Sequence, residues 1–166
     1  MTAHGARIKI CGLTRPQDIE AVNAALPDYA GFVFAPGRRT VSLAQAAMLR
    51  QRLDRRIVPV GVFMDAPLDE VLAACSAGVV EAVQLHGSED ASYIEELKDA
   101  CLVPLIKAVR LRSDGRPTHD IPHGADYVLF DGLVPGSGER AAWSVALRRY
   151  QKRFFLAGGI CLANLD

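Results

Sequence analysis

The chain contains no apolar run near the ~20 residues that a membrane-spanning helix needs. Aromatic residues are scarce, at 7% of 166 positions, and no low-complexity stretch or linker divides the sequence. One expected domain therefore covers residues 1–166. An excess of charge is missing too, because 19 Lys and Arg balance 19 Asp and Glu. No global field would hold a nucleic acid or an anionic membrane; basic pairs such as Arg38-Arg39, Arg55-Arg56 and Arg148-Arg149 are isolated. The four cysteines (Cys11, Cys75, Cys101 and Cys161) form no CxxC pair. That argues for a reducing compartment and against a disulfide framework or a zinc site. Met1 to Arg7 is too short and polar for a signal peptide, so the expected location is the cytoplasm.

What is present is a repeating pattern of apolar runs and amphipathic segments. Strand-like runs recur roughly every 22 to 28 residues: Arg7–Cys11, Gly31–Ala35, Ile57–Phe63, Glu81–His86, Pro104–Val109, Asp126–Asp131 and Phe154–Gly158. They are continuous rather than alternating, as expected for strands covered on both faces. Between them lie helical segments. Pro16–Leu26 opens on Pro16, with Thr14 as the expected cap. Ser42–Leu53 has Ser42 as its cap, and Pro67–Ala77 stops at Gly78. Ser88–Ala100 opens on Ser88, Glu89 and Asp90, which suit a helix N-terminus, and Trp143–Tyr150 is a shorter helix. Leu111 to Gly124 holds two prolines and two glycines, so its helix is short or replaced by loop. Strand, helix and strand with this period predict right-handed βαβ units in a parallel sheet. Periodicity leaves two architectures open. One is an open doubly wound sheet; the other is a (β/α)8 barrel, which usually takes about 250 residues.

Three strand ends carry chemistry. Lys9-Ile10-Cys11-Gly12-Leu13-Thr14 ends a strand in a thiol, Tyr127-Val128-Leu129-Phe130-Asp131-Gly132 ends one in a carboxylate, and Phe154-Phe155-Leu156-Ala157-Gly158-Gly159 ends one in paired glycines. The carboxyl ends of parallel strands are where α/β proteins bind ligands. A thiol and a carboxyl group supply a proton acceptor and a donor. Bare glycine amides beside a helix start can hold an anion. The set points to acid/base chemistry on a phosphorylated small molecule.

Taken together, these pieces resemble the phosphoribosylanthranilate isomerase family over essentially the whole chain. The resemblance rests on Lys9 to Thr14, Gly31-Phe32-Val33-Phe34, Arg39-Thr40-Val41-Ser42, Val60-Gly61-Val62-Phe63 and Val83-Gln84-Leu85-His86-Gly87. It continues through Ile106-Lys107-Ala108-Val109, Leu129-Phe130-Asp131, the Gly136-Ser137-Gly138 loop with Trp143 behind it, and Leu156-Ala157-Gly158-Gly159. It implies a (β/α)8 barrel and an Amadori rearrangement of an aminoaldose to an aminoketose in tryptophan biosynthesis, with no metal or organic cofactor. By the same resemblance Asp131 is the general acid, Cys11 the general base, and Arg39 the cation near the anthranilate carboxylate. Gly158 and Gly159 form part of the phosphate cradle. The family's eighth strand, with the other half of that cradle, has no counterpart here. The expectation is thus a single barrel domain, C-terminally incomplete. Two smaller departures are Gly37 before the arginine pair and Ala141-Ala142 before Trp143.

Each residue also has a plainer reading. Cys11 taken alone reads as a buried inert thiol, and Asp131 as a turn cap. Arg39 reads as a solvated charge beside Arg38, and the glycine pair as a site of close helix packing. His86 could act as a base, but a histidine hydrogen-bonded at the barrel mouth fits better, and Gln84 orients ligand or neighbours. Both are placed with the substrate-binding residues. Alternation from Cys11 puts Lys9 deeper in the barrel, in a buried ion pair. The competing functions are a sugar-phosphate epimerase or lyase on a similar barrel, and a non-catalytic remnant. The expected assembly is a monomer or homodimer.

Overall fold

The computed structural model describes residues 5–112, 114–132, 150 and 153–160. Seven strands run through them: β1 (Lys9–Cys11), β2 (Tyr29–Val33), β3 (Val58–Phe63), β4 (Ala82–Leu85), β5 (Leu105–Arg110), β6 (Tyr127–Asp131) and β7 (Phe154–Leu156). Helices α1 (Pro16–Ala25), α2 (Leu43–Arg50), α3 (Leu68–Ser76) and α4 (Ala91–Ala100) alternate with the first five. All pairings are parallel, and the strand order in space is the order in the chain. A doubly wound sheet reverses its order at a switch point; this sheet never does. The architecture is that of a (β/α) barrel with seven strands in place, and among the described residues no strand joins β7 to β1.

Strand parity divides the core in two. Tyr29, Val60, Ala82, Ile106, Ala108 and Leu129 pack together on the inner face, flanked by Val58, Tyr127, Phe155 and Ala157. The other parity faces the helices: Ala30, Phe32, Phe63, Val83, Leu85 and Leu105 share a cluster with residues of all four. Each helix buries two residues three positions apart, namely Ile19 and Val22, Ala46 and Leu49, Val71 and Ala74, and Ile94 and Leu97. That spacing is one stripe of an amphipathic helix. Removing each Ile, Leu or Val from water contributes about 1.5–3 kcal/mol.

Local signals differ from the expectations at three points. β2 starts two residues early, because Tyr29 N–H already bonds to the Ile8 carbonyl at 3.0 Å and Tyr29 pairs with both Lys9 and Val58. Thr14 is not the cap of α1. The Asp18 carboxylate reaches back to accept from Thr14 N (2.9 Å), Thr14 Oγ1 (3.3 Å) and Arg15 N (2.9 Å). Lys9 is half-buried and makes no ion pair among the described residues. Ser42 does cap α2, accepting from Gln45 N at 3.2 Å, and Asp90 caps α4, accepting from Tyr93 N at 2.9 Å. Among the described residues between 111 and 124 there is no helix; Leu111 and Pro117 form a small antiparallel bridge. The expected Trp143 helix (Tyr150 apart), the Gly136-Ser137-Gly138 loop, Ala141-Ala142 and Cys161 lie outside the described residues.

Candidate active site at the carboxyl ends of the strands

Cys11 is the last residue of β1, and its neighbour in register is Gly31 of β2. A Cβ built on Gly31 would stand 2.6 Å from Cys11 Sγ, so the glycine makes room for the thiol. The chain then turns sharply at Gly12, with φ +92°, a conformation few other residues accept. Gly12 N and Leu13 N both donate to the Gly31 carbonyl, at 2.9 and 3.2 Å. Arg39 lies across Gly12: a Cβ there would come within 2.5 Å of Arg39 Cδ. Its Nη1 donates to the Cys11 carbonyl at 2.9 Å. The exposed Arg39 guanidinium is thereby held at the Cys11 end of the rim, whereas Arg38 is simply exposed.

Asp131 ends β6 on the same rim, with its side chain 18% exposed. His86 follows β4, and its Nε2 stands 3.4 Å from Asp131 Oδ2. The other ring nitrogen, Nδ1, is 2.9 Å from Gln84 Nε2. Gln84 is 3% exposed, and its Oε1 is buried with no partner among the described residues. Behind β7, Gly158 and Gly159 have φ of +81° and +73°. Gly158 comes so close to the acid that a Cβ on it would lie 2.5 Å from both Asp131 Oδ1 and Gly132 N. A side chain there would displace the carboxylate.

The sequence-derived residues thus gather into two groups on one rim. Asp131, His86, Gln84 and Gly158 form the first; Cys11 and Arg39, with Gly12 and Gly31, form the second. A cavity of about 250 Å³ opens beside the first group, lined by His86, Ala108, Arg110, Thr118, His119 and Asp131 among others. Cys11 does not line it. A larger, more open hollow of about 400 Å³ lies by Asp65, Glu89 and Asp90. Those carboxylates are already committed: Asp65 accepts from Ser88 N, Asp90 from Tyr93 N, and Glu89 from Asp65 N and Gly87 N. The first cavity is the better ligand site because the His86, Arg110, His119 and Asp131 side chains that line it make no hydrogen bond to backbone among the described residues.

Sequence reasoning missed three features here. Arg110, Thr118 and His119 reach the cavity from β5 and the loop behind it, which read only as irregular. Gly31 read as ordinary strand, and only register shows that it faces a thiol. Lys107 and Glu89 form a fully buried ion pair behind the site, at 2.7 Å. Its one sequence signal is a lysine in an apolar strand, out of phase with Ile106 and Ala108.

Among the described residues no helix is long and apolar enough to cross a membrane, and no three His, Cys, Asp or Glu side chains converge as a metal site. The sequence profile of the family described as N-(5'phosphoribosyl)anthranilate (PRA) isomerase matches residues 8–166. The N-(5'-phosphoribosyl)anthranilate isomerase of Endomicrobium trichonymphae is 40% identical over 163 residues, covering 96% of this chain and 80% of that protein. The crystal structure of phosphoribosyl anthranilate isomerase from Thermus thermophilus superposes with a TM-score of 0.82 at 39% identity, covering 96% of this chain and 80% of that one. A second structure of such an isomerase, in complex with reduced 1-(o-carboxyphenylamino)-1-deoxyribulose 5-phosphate, gives a TM-score of 0.74 at 26% identity, covering 96% of this chain and 78% of that one. With strand ends, parallel order and sequence in agreement, this chain belongs to the N-(5'-phosphoribosyl)anthranilate isomerase family.

Proposed function

We propose that the rim described above converts N-(5-phosphoribosyl)anthranilate to 1-(2-carboxyphenylamino)-1-deoxyribulose 5-phosphate, an internal aldose-to-ketose shift in tryptophan biosynthesis. Asp131 donates a proton to the furanose ring oxygen. The bond from that oxygen to C1 breaks, and the anthranilate nitrogen supplies the electron pair that makes the Schiff base. Cys11, as thiolate, removes the C2 proton, and the electrons flow to the nitrogen to give an enolamine. Tautomerisation yields the ketone. General acid and general base steps each contribute about 10²- to 10⁴-fold. No metal or organic cofactor enters this scheme, and the enzyme works in the cytoplasm as a monomer or homodimer, without nucleic acid or membrane.

The observation that carries the reading is the placement of the Asp131 carboxylate. It is half-buried at a strand end, faced by a histidine and flush against Gly158. Arg39, pinned beside Cys11, suits the anthranilate carboxylate. Gly158 and Gly159, bare of side chains, suit the phosphate. His86 lines the cavity beside Asp131, with Gln84 buried behind it. The test follows the loss of anthranilate fluorescence as freshly made substrate meets the protein. Cys11→Ala and Asp131→Asn should each abolish turnover while a product analogue still binds. Wild-type turnover in either variant removes that residue from the scheme.

A further inference from the structure

A carboxylic acid that must hand over one proton needs that proton on the oxygen facing its substrate. Asp131 has two oxygens in different surroundings. Oδ2 faces His86 Nε2 at 3.4 Å, and Oδ1 lies where the missing side chain of Gly158 leaves space. What His86 presents to Oδ2 depends on its tautomer, and a neutral imidazole has only one N–H. Gln84 Nε2 sits 2.9 Å from Nδ1. With the amide nitrogen as the donor in this contact, Nδ1 is the lone-pair nitrogen and the ring proton is on Nε2. That proton points at Asp131.

We propose that Gln84 and His86 are positioning residues for the general acid: Gln84 selects the His86 Nε2–H tautomer, and His86 occupies Asp131 Oδ2 so that the transferable proton resides on Oδ1. This deepens the isomerase reading above and rests on it. Once Asp131 has given up its proton, the same N–H faces a full carboxylate, and the contact becomes charge-assisted and shorter. His86 therefore favours the state that follows proton transfer. In an unliganded site such a contact is often long and tightens around the substrate.

The surroundings hold the ring in place. His86 N donates to the Phe63 carbonyl at 2.8 Å. One residue on, Gly87 is held at both ends, its N–H by Glu89 Oε2 at 3.0 Å and its carbonyl by Lys107 Nζ at 2.6 Å. Gln84 is buried, so water competes little for Nδ1. The other charged or titratable groups facing the cavity are Asp65, Arg110 and His119.

The test uses the whole protein. His86→Leu should lower kcat by about 10- to 100-fold with KM nearly unchanged. His86→Gln restores an N–H donor and should recover much of the lost kcat, while Gln84→Met should reproduce part of the loss. In the folded wild-type protein, nitrogen-15 NMR should find the His86 proton on Nε2. A proton on Nδ1 overturns the proposal whether or not any variant folds. A rise in KM with kcat unmoved also overturns it, leaving His86 as a substrate contact. A wild-type protein inert toward the aminoaldose defeats the isomerase reading and this inference with it.

Discussion

Lys107 Nζ lies 2.7 Å from Glu89 Oε2, and each side chain is 1% exposed. Lys107 projects from the outer face of β5, and Glu89 stands just before α4. Lys107 also donates to the Gly87 carbonyl, and Glu89 accepts from Asp65 N at 2.9 Å and from Gly87 N at 3.0 Å. One ion pair thus ties β5 to the loops after β3 and β4, behind His86. A buried pair of this kind adds little net stability over an apolar replacement, but breaking it strands a charge.

Replacing one partner should therefore be costly. Lys107→Met should lower unfolding stability by about 3–5 kcal/mol. A urea titration with a circular dichroism readout measures this. A loss below about 1 kcal/mol would show that water reaches Glu89 and that the clamp is weaker than its burial implies.

Gly31 should tolerate no side chain beside the thiol. A Cβ at 2.6 Å from Cys11 Sγ must push the sulfur aside. Gly31→Ala should cost about 1–3 kcal/mol in stability. Because a misplacement of about 1 Å can cost 10²-fold, kcat should fall by about that factor. Steady-state kinetics with the fluorescent substrate, alongside a thermal melt, separates the two effects.

The start of α1 should weaken in acid. The Arg15 guanidinium, followed by the Thr14 backbone N–H, holds the Asp18 carboxyl down from 3.8 to about 2. A carboxylate depressed on folding stabilises the protein above its unfolded value and loses that contribution as pH falls through its folded value. The stability difference between wild type and Asp18→Asn should be about 1 kcal/mol or less at pH 7, the site being near the surface. It should shrink between pH 3.8 and about 2 and vanish below. Denaturant midpoints for both proteins across that range check the sign.

Cys75 should be unreactive. Burial, and next the Cys101 thiol beside it, push its proton affinity up from 9.0 to about 12. The thiolate is the nucleophile, so alkylation of Cys75 in the folded protein at pH 8 should be more than about a hundredfold slower than for a free thiol. Mass spectrometry of iodoacetamide-treated protein, native and unfolded, reads the ratio residue by residue.

Much of this was legible in the chain, for reasons that differ by residue. Ile94 and Leu97 announce a helix face by their spacing, and Val58–Phe63 announces a doubly covered strand by its unbroken apolarity. Cys11 and Asp131 stood out because reactive groups at strand ends break that apolarity. Thr14 misled because Ser and Thr caps are common, while the Asp18 side chain, which reaches the same amides, reads equally well as a surface charge. Lys9 misled because parity gives a side chain's direction and not its partner. Gly12 and Gly31 gave no warning at all, since their reasons are Arg39, which approaches from the loop after β2, and Cys11, which sits on the neighbouring strand.

By itself the sequence determined the βα repeat, the apolar stripes and the reactive groups at the strand ends, because each is a property of neighbours along the chain. It also determined the family, because those pieces keep their order. The tertiary structure decided the sheet order, which face of each strand became the interior, and which groups meet: Gln84 with His86, His86 with Asp131, Lys107 with Glu89. Those meetings depend on pairing between distant strands, and a register displaced by one residue would turn every one of these side chains to the opposite face.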